Sequence, residues 1–119
     1  MVDLSVVLRT GTFDIAPMKK LPVGNFGDFI NFSVQDSDGD PVNITGMTPK
    51  FTLYRPGAQH GMMLVWQKDT SIVSGSGGTC RYQVLNGDFT EFRDYFGRID
   101  LYTGTTKIDS TQEFILSVV

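Results

Sequence analysis

Cysteine and histidine are nearly missing from this chain. Its 119 residues include one cysteine, Cys80, and one histidine, His60. A single cysteine excludes an intrachain disulfide. One histidine and one cysteine also fall short of the three or four ligands that a zinc site needs. A basic excess is missing as well. Ten Lys and Arg stand against 13 Asp and Glu, a formal net charge of -3. A nucleic-acid partner calls for cations that neutralise phosphates, and the pair Lys19-Lys20 is too short to supply them. No apolar run approaches the roughly 18 residues of a membrane span. The opening MVDLSVVLRT carries an early acid and a very short apolar run, so it is not expected to act as a signal peptide. A reducing cytoplasm is the expected place of synthesis and folding.

What the chain does have is alternation. Forty per cent of its residues are hydrophobic and 19% are charged, an ordinary globular balance for one domain over 1–119. In residues 28–35, Ile30, Phe32 and Val34 point one way and Asn31, Ser33 and Gln35 the other. A period of two marks a half-buried strand. The same rhythm runs through Leu4–Leu8, Phe51–Arg55, Met62–Lys68, Cys80–Val84, Arg98–Tyr102 and Glu113–Val118. Turn signals separate these runs: Asp38-Gly39, Thr45-Gly46, Pro56-Gly57, the glycine-rich 75–78, Asn86-Gly87 and Thr103-Gly104. Seven to nine short strands with regular turns predict an all-β, immunoglobulin-like β-sandwich of two antiparallel sheets. Residues 1–25 form a strand and an extended lead-in, and 26–119 the sandwich body. The expected core holds Ile30, Phe32, Val34, Phe51, Leu53, Leu64, Trp66, Tyr82, Val84, Ile99, Leu101, Phe114 and Leu116. One helical turn is expected near 88–96. Asp88 followed by Glu91 resembles a capping box, and Phe89, Phe92 and Tyr95 are placed to plug one end of the sandwich.

Candidate chemistry is sparse. Asp36, Asp38 and Asp40 match the first three ligand positions of a calcium loop. The match then fails, because Pro41 stands where the loop needs Gly and Met47 where it needs Glu. A hairpin turn is the expected reading, with weak calcium binding as the alternative. His60 lies in a glycine-flanked loop with no nucleophile or orienting group nearby in sequence. Cys80 falls on the apolar phase of its strand, which predicts a buried thiol. Arg93, Asp94, Arg98 and Asp100 form a charged group that is expected to pair in solvent. Trp66 follows the apolar phase, whereas Tyr54 takes the opposite one and is the better surface-contact candidate. No catalytic constellation, phosphate loop, metal or cofactor site is readable, and the chain is not expected to be an enzyme.

Two stretches, FGDFINFSVQDSDGDPVNITGMTPKFTLYRPG and GGTCRYQVLNGDFTEFRDYFGRIDLYTGTTKIDSTQEFILSVV, follow one another in a distinctive order. That order resembles the N-terminal domain of the baseplate upper protein family of phages that infect Gram-positive bacteria. Within the two stretches, Pro41–Gly46, Arg55-Pro56-Gly57 and the closing Thr111-Gln112-Glu113-Phe114 carry the likeness. DLSVVLRTGTFDIAPMKKLPV is similar to the family's first strand and lead-in. The resemblance implies a structural virion protein of the tail baseplate, made in the host bacterial cytoplasm. It would dock on the central hub, connect it to host-binding parts, and contact other virion proteins as a homo-oligomer. No nucleic acid or membrane is implied as a partner. The exposed strand Asp3, Leu4, Ser5, Val6, Val7, Leu8 and Arg9 is the expected assembly edge, by strand addition. The alternative is a carbohydrate-binding or adhesion sandwich, which predicts a row of exposed aromatics on one face or rim.

Overall fold

The computed structural model describes residues 3–57 and 61–119. Ten strands follow one another: β1 (Leu4–Arg9), β2 (Ala16–Leu21), β3 (Phe29–Gln35), β4 (Thr48–Pro56), β5 (Met62–Asp69), β6 (Ser71–Ser74), β7 (Thr79–Gln83), β8 (Arg93–Thr103), β9 (Thr106–Ser110) and β10 (Phe114–Val118). They form two sheets. The first runs β1-β3-β7-β6 and the second β2-β10-β8-β4-β5, with β9 also paired to β8. The 11-residue β8 is long enough to serve β10 along its first half and β9 along its second, while β4 takes the opposite edge.

The inner faces meet in one core. Val6, Leu8, Ile30, Phe32, Val34, Cys80 and Tyr82 come from the first sheet, and Phe51, Leu53, Ile99, Leu101, Phe114 and Leu116 from the second. Phe51 is the centre of an aromatic cluster, with ring centroids 5.0 Å from Phe32, 5.6 Å from Tyr82 and 6.2 Å from Phe114. Gly97 on β8 makes this possible. A Cβ built there would lie 2.7 Å from Phe114 and 2.8 Å from Phe51.

Several sequence expectations are corrected. The sheets are mixed, because β1 runs parallel to β3 and β2 runs parallel to β10. The segment read as a lead-in therefore contains a strand, β2, at the edge of the second sheet. No helical turn forms in 88–96. The Asp88 carboxylate accepts from Tyr82, from Leu85 N–H and from Lys68, which leaves it unavailable as a forward cap. Phe89 and Tyr95 do enter the core, Tyr95 from within β8, but Phe92 is 77% exposed. Leu64 is also outside. A bulge between Leu53 and Tyr54 pairs Leu53 with Trp66 but Tyr54 with Leu64, so Val65 is the extra residue and the period of two breaks there. Trp66 keeps the inner face, half-buried, and Leu64 takes the outer one.

Candidate functional site

The aspartate loop joins β3 to Pro41, which bridges back to Gln35. Asp36 Oδ1 accepts the backbone N–H of Asp38 at 2.9 Å and of Asp40 at 3.0 Å. Asp36 N–H donates to the Asp40 carbonyl, and Gly39 takes φ 88°. One aspartate thus organises the turn, and the other two point their charge at solvent without an ion pair among the described residues. No group of three or more His, Cys, Asp or Glu side chains there is arranged to hold a metal ion. His60 lies outside the described residues.

Strand β1 is an edge of the first sheet. Thr10 N–H donates to Gln35, toward β3, whereas the N–H and C=O of Arg9 both engage Gln112 on the other side. Backbone polar groups alternate along a strand, so those of Ser5 and Val7 point away from β3 as well. Ser5 and Val7 make no backbone hydrogen bond on that side among the described residues, although β2 lies alongside, Val7 lining one cavity with Ala16 and Pro17. Asp3 is fixed at its start by accepting Phe29 N–H at 3.1 Å. The side chains of Val6 and Leu8 are buried, so the strand is part of the core and an edge together.

The charged group read from sequence divides. Arg98 pairs with Asp100 at 2.9 Å and Arg93 with Glu91 at 3.1 Å, while Asp94 is exposed. Asp100 is only 1% exposed although it faces outward, because its neighbours cover it. It accepts from Thr52, Gln67, Arg98 and Ser110. Burial works to raise its carboxyl pKa, but hydrogen bonds from Ser110 and Thr52 and the Arg98 charge outweigh it and hold the value below the ordinary carboxylate range. For Arg98, burial lowers the pKa, but the Asp100 charge and hydrogen bond, with Tyr54 and Glu113, together raise it above the ordinary value. Burial lifts the Cys80 thiol to about 11, an unreactive sulfur. Tyr54 stands on the outer face, as expected. Arg98 lies over its ring at 4.9 Å, so this aromatic is covered on one side by a cation.

Sequence reading missed a groove at the far end of the sandwich from the aspartate turn. The turn follows Gln35, beside Arg9 and Thr10. The groove lies where β4 ends, β8 begins and the 85–92 connector crosses. It has a volume of about 480 Å³ and is lined by Arg55, Trp66, Lys68, Thr90, Glu91 and Tyr95 among others. Lys68 lies over the Trp66 ring and pairs with Asp88 at 2.6 Å. Glu91 pairs with Arg93. Arg55 alone has no ion pair or hydrogen bond among the described residues, and neither Tyr95 nor Thr90 makes a side-chain hydrogen bond there. Burial, then the Glu91 charge, raise the Tyr95 pKa, while Arg93 and Arg55 oppose them. The only sequence signal was phase: Arg55 occupies an inward position of β4.

The fold has a solved counterpart. The chain is similar to the N-terminal domain of phage TP901-1 ORF48, with a TM-score of 0.68 and 17% identity, over 99% of this chain and 98% of that one. At that identity the likeness is one of fold. No protein-family model and no curated protein sequence matches the chain.

Proposed function

We propose that this domain is a structural component of a phage particle, working in the tail baseplate through contacts with other virion proteins. The observation that carries the reading is the end-to-end fold likeness to a domain of a phage protein. The resemblance in segment order to the baseplate upper protein family agrees with it. So does the surface chemistry, which offers a sheet edge and charged loops.

In this reading β1 is the docking edge. Ser5 and Val7 offer backbone N–H and C=O groups to a strand from a neighbour, and Val7 is 48% exposed beside them. Hub docking and linkage to host-binding parts follow from the family resemblance and belong to this proposal. Two experiments test it. Mass spectrometry of purified particles should recover the chain in the tail fraction, and its absence there overturns the assignment. A Ser5→Pro, Val7→Lys variant should keep its melting temperature, because both changes face away from β3 and the core, yet lose binding to tail proteins. Undiminished binding removes β1 from the interface.

A further inference from the structure

Among the described residues, Arg55 at one end and Asp38 and Asp40 at the other make no ion pair. Arg55 lines the groove beside β8 and finds no acid there: Asp88 is taken by Lys68 and Glu91 by Arg93. Arginine only donates, and its planar fork matches a carboxylate. Thr90 and Tyr95 add two hydroxyls that lack side-chain partners among the described residues. A groove of these donors calls for a ligand rich in acceptors and negative in charge.

This chain has such a segment. The turn at 36–40 projects beyond Gln35, and Asp38 and Asp40 are exposed without an ion pair among the described residues, although the Arg9 guanidinium lies beside Gly39. Strand register puts the two features at opposite ends. Leu4 and Ile30 lie at the groove end of the first sheet, and Arg9 and Gln35 at the turn end. Gln83, from which the connector leaves, pairs with Phe29 at the groove end. Asp36 already holds the turn in shape, so its insertion would cost little ordering of the loop.

We propose that copies of this domain associate head to tail, the 36–40 turn of one copy seated in the Arg55 groove of the next. This rests on the structural reading above and names its partner as a second copy of the chain. A heterologous contact of this kind closes into a ring or extends as a filament, according to its rotation. The groove's apolar neighbours support it: Met63 pairs with Arg55 across the strands, and Phe92 follows Glu91, both exposed.

Charge reversal tests it. Sedimentation of the wild-type chain should show association that rises with concentration and weakens with salt. Arg55→Glu alone, or Asp38→Lys with Asp40→Lys, should each weaken it by at least about tenfold, since each sets like charges together. Mixing the two variants should restore association, because every junction then joins opposite charges. Circular dichroism melting confirms that both variants are folded. A wild-type chain that stays monomeric to about 1 mM at low salt, or an oligomer indifferent to both variants, overturns the proposal. So does a mixture that fails to recover. If particles contain the chain while any of these holds, the virion reading stands and this contact falls.

Discussion

Replacing Gly97 by Ala should destabilise the domain, against the usual trend for such a change. Gly97 is not among the glycines with positive φ, so its backbone suits any residue. In a strand interior, Ala should then gain about 0.5–1 kcal/mol over Gly by reducing the entropy of the unfolded chain. The surroundings reverse the sign. The new methyl would lie 2.7 Å from Phe114 Cε1 and 2.8 Å from Phe51 Cε1. Neither ring can retreat freely, since Phe51 also packs against Phe32, Trp66 and Tyr82. Overpacking of this kind costs about 1–3 kcal/mol. The net loss should be about 1–2 kcal/mol, or roughly 4–8 °C in melting temperature for a domain of this size. Differential scanning calorimetry with urea titration measures it. Adding Phe114→Leu should couple favourably to Gly97→Ala, with the double variant losing less than the sum. A melting temperature that is unchanged or raised refutes the idea that close ring approach requires glycine at this position.

Asp100 should tie stability to acid pH. Its folded pKa is depressed below the ordinary 3.8, so its contribution is present at neutral pH and is lost as pH falls through the folded value. Asp100→Asn should cost about 2 kcal/mol at pH 7 and flatten the stability profile below about pH 4, as read by urea midpoints. Cys80, with its thiol raised to about 11, should resist a disulfide exchange reagent at pH 8 until urea unfolds the protein. Asp36→Ala removes the acceptor of two backbone N–H groups, and should lower stability by about 1 kcal/mol in thermal melts. Added millimolar calcium should shift the wild-type melt by less than about 1 °C if the loop is a turn rather than an ion site.

Strands whose inner residues alternate without interruption were legible. Ile30, Phe32 and Val34 read directly as core, as did Phe114 and Leu116, because nothing along those strands breaks the period. Leu64 did not, because the bulge at Val65 shifts the phase by one and leaves no mark in composition. Nor did β2, where Pro17 and two lysines hide an edge strand that buries only Ala16 and Leu21. β9 was hidden too, since it is exposed almost throughout and exists by pairing to β8. The glycine turns were plain: Gly39, Gly46, Gly78, Gly87 and Gly104 all take positive φ. Asp88 misled, because capping boxes depend on what else competes for the carboxylate. Lys68 is 20 residues away and Tyr82 lies six residues back on strand β7, outside any local capping pattern. The groove at Arg55 was invisible for the same reason, being assembled from three separate segments.

The parallel pairing of β2 with β10 also bears on synthesis. Residues 16–21 cannot find their partner until 114–118 have emerged from the ribosome. At typical elongation rates that wait lasts on the order of 5–20 s. Throughout it, Leu21 and Ala16 lack their pairing partner, so the nascent chain is vulnerable before residues 114–118 arrive. A chaperone that holds residues 16–21 would be most useful during that interval.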